Sequence, residues 1–207
     1  MNKVLVSLLT IASSLAVMTG PSHANDGVLT FASYKDAVVE KTTEGGVLST
    51  YFYAEKKGDA AIKGVSKKDG QAVLQYSLGK SSGSSWAGAA IRSTGAGEAL
   101  TDLSAYKSIK LKLSAKDSKI IMIRILGSEV AIRDKGCYSG FGQKVTPTLT
   151  EYTIPLSSFS PGSWCGGDAR SIKKSINNVY AVDVFDESLP SSPRESEFSV
   201  ADISFVK

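Results

Sequence analysis

Histidine is all but missing from this sequence: there is one, His23, in 207 residues. It falls within a leading segment that reads as a cleavable export signal, so the remaining chain has none. Without an imidazole base, Ser-His-Asp and Cys-His nucleophilic systems lose their proton acceptor, and histidine-ligated zinc loses its ligands. Cysteine is scarce too. Cys137 and Cys165 are the only two, too few for a four-thiolate metal site. Beyond the first residues there is no apolar run near the roughly 20 residues that a membrane-spanning helix needs. Charge blocks, internal repeats and low-complexity linkers are also lacking. The 24 basic and 20 acidic residues are interspersed for a net charge of +4, which is not the basic stripe of a nucleic-acid-binding protein.

What is present begins with the segment Met1–Ala24. Lys3 supplies a positive start, Val4 to Val17 is uncharged and apolar, and Pro21 breaks any helix. Ser22-His23-Ala24 places small residues where signal peptidase cuts. The expectation is removal of residues 1–24 and export, to the periplasm or outside the cell. No membrane segment then remains. The 183 residues from Asn25 to Lys207 carry 23 basic and 20 acidic side chains and suit one domain with a real core. In an oxidising compartment Cys137 and Cys165 can pair; two free thiols is the alternative.

Strand alternation dominates this region, interrupted by Gly, Ser and Asp clusters. Strands are predicted at Val47–Ala54, Gln71–Leu78, Trp86–Ser93, Ser108–Leu113, Lys119–Leu126, Thr150–Leu156, Asn178–Phe185 and Phe198–Val206. Lys67-Lys68-Asp69-Gly70 reads as a turn, Ser188–Ser196 as a long hairpin connection, and Ala99–Leu103 and Ala169–Lys174 as helical turns. Eight or more short strands with polar turns predict an all-β, two-sheet sandwich of jelly-roll type.

The order of segments WAGAAI, DLSAYKSIKLKL, IMIRIL, TEYTIPLSSF, NNVYAVDVF and FSVADISF resembles a jelly-roll group within the galactose-binding-like folds. That group includes family 11 carbohydrate-binding modules and the complex I intermediate-associated protein family. Gly88, Asp102-Leu103-Ser104, Tyr106, Ile109, Tyr152, Ile154-Pro155-Leu156, Phe159, Trp164, Asp202-Ile203 and Phe205 carry the resemblance, and GGVLSTYFY is similar to the strand that opens those domains. The resemblance implies a module that holds a polysaccharide or oligosaccharide on a concave sheet face. It implies no cofactor beyond a structural calcium in some relatives, for which Asp202 is the one candidate here.

Sugar recognition calls for flat aromatic faces against pyranose C–H surfaces and planar polar groups against hydroxyls. Strand parity places Trp86 and Arg92 opposite an alanine-isoleucine row, Arg124 opposite an isoleucine row, and Asp183 opposite Tyr180, Val182 and Val184. Arg92, Arg124 and Asp183 then line one face, as a binding row or as a surface salt-bridge cluster. Tyr51 and Tyr53 share a face, as platform residues or as core with Phe52 outside. Tyr138 and Trp164 each adjoin a cysteine in Gly/Ser-rich segments. They are either aromatic arms clamped together by a Cys137–Cys165 bridge or a hydrophobic plug. Two other functions use the same fold: a structural or assembly protein with a protein partner, and a glycoside hydrolase. The hydrolase needs paired carboxylates, and the Glu-x-Asp-x-x-Glu strand of laminarinase-like enzymes does not occur here.

Overall fold

In the computed structural model, residues 24–25, 27–35, 42, 45–79, 86–117, 119–133, 135–166, 172–174, 176–187 and 194–207 are described. Apart from Ala24, the expected export segment lies outside them. The chain forms two antiparallel sheets. One contains β1 (Ala24–Asn25), β2 (Val28–Ala32), β4 (Ala60–Lys68), β5 (Gln71–Leu78), β7 (Ser108–Ala115), β10 (Thr150–Pro155) and β12 (Arg194–Val206). The other has the order β3 (Leu48–Ala54), β6 (Ala87–Thr94), β11 (Val179–Glu187), β8 (Lys119–Gly127) and β9 (Ser139–Val145). This is the predicted β-sandwich jelly roll.

Alternation decides which face of each strand meets the other sheet. In β7, Ile109, Leu111 and Leu113 are buried while Lys110 and Lys112 point out to Glu151 and Asp202. Ile121, Ile123 and Ile125 of β8, with Val182 and Val184 of β11, meet Leu74, Phe198, Val200 and Phe205 in one core. Each such side chain contributes about 1.5–3 kcal/mol when buried. β12 is the organising strand of the larger sheet. Residues Arg194–Val200 pair with β5, Phe198–Val206 with β7, and Ile203–Val206 with β2.

Four strands were not read from the sequence: β1, β2, β4 and β9. β12 also starts at Arg194 rather than Phe198, so the connection expected at Ser188–Ser196 is partly strand. Its residues 188–193 are outside the described residues. The helical turn expected at Ala99–Leu103 is extended instead, because Thr101 exchanges both backbone bonds with Val179, at 2.8 and 2.9 Å. The nearest 3₁₀ turn is Ala96–Glu98. Of the other expected turn, Ile172–Lys174 is a 3₁₀ helix, and residues 169–171 are not described. Asp69 and Gly70, both at positive φ, make the two-residue hairpin between β4 and β5.

One polar cluster interrupts the apolar core. Asp186 on β11 is 3% exposed and receives Arg194 Nη2 at 2.9 Å and Lys119 Nζ at 3.3 Å, together with the Tyr76 hydroxyl. Lys119 also donates to Ser196 Oγ. Because Tyr76, Arg194 and Ser196 belong to one sheet and Asp186 and Lys119 to the other, these bonds tie the layers together.

Candidate functional site

The outer face of the five-stranded sheet is built from the alternate residues of its strands. Cross-strand register arranges them in rows. Tyr53 opposes Gly88, which opposes Glu187. The next row runs Tyr51, Ala90, Phe185, Met122, Gly142, and the one after it Ser49, Arg92, Asp183, Arg124, Gly140. The register therefore brings Tyr51, Tyr53, Arg92, Arg124 and Asp183 to one face, which parity predicts for Arg92, Arg124 and Asp183. Phe52 points to the opposite side of β3 and is 53% exposed.

The charges on this face are not equivalent. Asp183 is 0% exposed. Its carboxylate accepts Arg92 Nε at 2.8 Å on one oxygen, and Arg92 Nη2 at 2.9 Å and the Tyr51 hydroxyl at 2.5 Å on the other. Such a bidentate, charge-assisted pair fixes the guanidinium plane. Asp183 thus holds Arg92 and Tyr51 in place and is itself shut off from solvent. Its hydrogen bonds hold the Arg92 pKa above the ordinary arginine range. Burial, then the Asp183 charge, push the Tyr51 hydroxyl up; burial, then Glu187, do the same to Tyr53. Both hydroxyls stay protonated as donors.

Aromatic rings cover one side of the face. Trp86, 54% exposed just before β6, has its ring centroid 5.3 Å from that of Tyr53, which lies 6.5 Å from Tyr51. Phe185 forms a buried floor, with the Tyr53 ring at 6.5 Å and the Arg124 guanidinium 4.4 Å above its centroid. Small residues at Gly88, Ala90, Gly140 and Gly142 keep the rows low between these side chains.

Solved structures share this architecture. A family 11 carbohydrate-binding module of the cellulosomal cellulase Lic26A-Cel5E of Clostridium thermocellum matches with a TM-score of 0.54 at 12% identity, over 85% of this chain and 92% of that one. A family 11 module from the same organism in complex with a β-1,3-1,4-mixed-linked tetrasaccharide gives 0.56 at 12% identity, over 86% and 94%. The solution structure of CtCBM11 gives 0.57 at 13% identity, over 89% and 97%. The fold is that of a family 11 carbohydrate-binding module. At these identities the likeness is one of fold. No protein-family description and no curated protein matches the sequence.

Within the module fold, the remaining predicted residues fall at one corner. Cys137 and Cys165 form a disulfide with Cα atoms 5.6 Å apart, joining the entrance of β9 to the turn Ser163–Cys165. A bridge across 28 residues is worth roughly 3–4 kcal/mol in the chain-entropy model. Tyr138 packs on this bridge with Ile132, and its hydroxyl lies 3.2 Å from that of Tyr180. It lies in the loop, as expected, one residue before β9. The side chain of Trp164 is outside the described residues.

Tyr180 corrects the expectation that it is core. A register shift between Val179 and Ala181 sends Val179 inward, and leaves Tyr180 half-buried against Tyr138. Phe185 and the two glycines of β9 were not singled out from the sequence. Phe185 could have been: it lies two residues from Asp183 on the same strand, and so on the same face.

Asp202, considered as a calcium ligand, accepts Ser33 Oγ at 3.0 Å and Lys112 Nζ at 3.0 Å. The lysine ammonium already neutralises that carboxylate. Among the described residues no group of three or more Asp, Glu, His or Cys converges. Two cavities are lined by other residues. One of about 640 Å³ is lined by Tyr106, Lys107, Pro155 and Ile176, and one of about 290 Å³ lies between β3 and β4. Neither is lined by Tyr51, Arg92, Arg124 or Asp183.

Proposed function

We propose that this chain is an exported, non-catalytic carbohydrate-binding module that holds a polysaccharide on the outer face of the five-stranded sheet. The observation that carries the reading is the combination on one face of an aromatic ladder, Trp86–Tyr53–Tyr51, with a guanidinium locked in plane by Asp183. Rings of this kind cover the C–H faces of sugars, and fixed planar donors take their hydroxyls. The fold of the family 11 modules supports it, one of them having been solved with a bound tetrasaccharide. The non-catalytic reading rests on Asp183: its oxygens are held by Arg92 and Tyr51 and shielded from solvent, which ill suits a general acid or nucleophile. Export fits the disulfide, which an oxidising compartment preserves.

The test is affinity electrophoresis of the purified protein on a panel of soluble polysaccharides, run beside a reducing-sugar assay on the same polymers. Retardation without sugar release is expected. Sugar release would make the protein a hydrolase. No retardation by any polymer, with capture of a defined protein partner, would make it an assembly protein.

A further inference from the structure

Arg124 stands directly opposite Asp183 in the register of β8 and β11, yet does not pair with it. Arg92 and Tyr51 take both carboxylate oxygens from the other side. Arg124 turns instead over Phe185, 4.4 Å from its centroid, and among the described residues it has no carboxylate partner. Its charge reaches the Tyr51 and Tyr53 hydroxyls, where it opposes the effect of burial. It therefore lies beside the aromatic rings, packed on Phe185. The other charges facing this way are the neutral Arg92–Asp183 pair, Glu187 beside Tyr53, and Lys144 on the edge strand β9. Arg124 is thus a cation on this face with no carboxylate paired to it among the described residues.

Resting on the module reading above, we infer that the glycan held here is anionic, carrying carboxylate or sulfate groups, and that Arg124 reads them. A neutral sugar laid over Arg124 strips water from a charge and returns only hydroxyl contacts, which is costly. A carboxylate or sulfate ester restores the lost interaction. The guanidinium carbon lies 4.4 Å from the Phe185 centroid, and an arginine presents its five N–H donors as a rigid planar fork. That fork matches the paired oxygens of such anions bidentately, which lysine cannot do.

The experiment is affinity electrophoresis of the purified, oxidised protein on matched polymers: a polyuronate beside its carboxyl-reduced form, and a sulfated galactan beside its desulfated form. Wild-type protein is expected to bind one anionic polymer about tenfold more tightly than its neutral partner, as a charge-assisted contact requires, and added salt should weaken that binding. Which pair responds separates carboxylate from sulfate recognition. Arg124→Gln should abolish the preference and Arg124→Lys restore only part of it. Lys144→Gln, removing a peripheral charge, should leave it within about twofold. Thermal melting of each variant verifies folding. Equal binding to both members of each pair, or a preference that survives Arg124→Gln, overturns the inference and leaves the module reading standing. Failure to bind any of the four polymers or any neutral glucan overturns both.

Discussion

The ring of Tyr53 lies across the backbone of Gly88. A Cβ atom at position 88 would sit 2.4 Å from both Cζ and the hydroxyl oxygen of Tyr53. The strand pairing permits this contact because Gly88 is the register partner of Tyr53 on β3, and only a residue without a side chain lets an aromatic ring fold down flat there. Gly88→Ala should push the ring out of line with Trp86. The sheet can absorb the change, since the obstructing atoms are the far end of one side chain. Glycan affinity is expected to fall several-fold, while stability falls by no more than about 1–3 kcal/mol. Titration calorimetry with a binding glycan and chemical unfolding of the same variant check both parts. Undiminished affinity would show that the Tyr53 ring position is irrelevant to binding.

Arg92 and Arg124 should respond oppositely to truncation. Removing Arg92 strands the fully buried Asp183 with Tyr51 as its remaining donor, and breaking a buried pair in this way costs about 3–5 kcal/mol. Removing Arg124 loses a cation–π contact worth about 1 kcal/mol. Arg92→Ala should therefore lower the melting temperature sharply, and Arg124→Ala should lose glycan affinity with a nearly native melting curve. Equal melting curves for the two variants would contradict the division of labour between them.

The cluster around Asp186 makes a prediction about the scaffold. Asp186→Ala leaves Lys119, 7% exposed, and Arg194 without their carboxylate. A loss of about 3–5 kcal/mol is expected. Asp186→Asn keeps the shape but not the charge and should recover only a minor part. Urea unfolding with an unchanged m-value would assign the loss to the native state. A change below about 1 kcal/mol for Asp186→Ala would mean that water replaces the carboxylate.

Alkaline pH should unfold the protein through its tyrosines. Burial, the largest cause in each case, holds the hydroxyls of Tyr51, Tyr53, Tyr76 and Tyr138 above their ordinary value near 10. Above that pH the unfolded chain releases these protons and the folded chain retains them. The folded state then binds more protons, so stability falls as pH rises, while below about pH 10 this contribution is complete. Tyrosinate absorbance should show at least these four of the eight tyrosines silent until a cooperative unfolding step. In concentrated denaturant all eight should titrate together. Eight independent titrations in native buffer would contradict the burial of these rings.

Residues with clean alternation were legible in the sequence. Ile109, Leu111 and Leu113 on β7 announce their strand, and parity sorted Arg92, Arg124 and Asp183 onto one face, while for Tyr51 and Tyr53 it showed only that they share a side of β3. What parity does not carry is choice among neighbours. Asp183 is flanked in register by two arginines, and only packing decides that it pairs with Arg92. Strands whose outward residues are small or polar were missed. β9 reads as a loop because Gly140 and Gly142 lack strand propensity, yet their lack of side chains is what clears that edge of the face. Glu195 and Ser196 looked like connection because they are polar, although Ser196 is turned inward to Lys119. Tyr180 was misplaced by one register shift, which alternation has no means to signal.

The position of β12 has a consequence for the order of events during folding. Its residues, 194–206, form the middle of the larger sheet and pair with β2, β5 and β7, strands that precede it by as much as most of the chain. Until that segment has been synthesised, β2 and β5 have no neighbour joining them to β7, and the larger layer cannot close. Closure of the sandwich waits for this segment and then brings together strands of high sequence separation, a slow kind of folding.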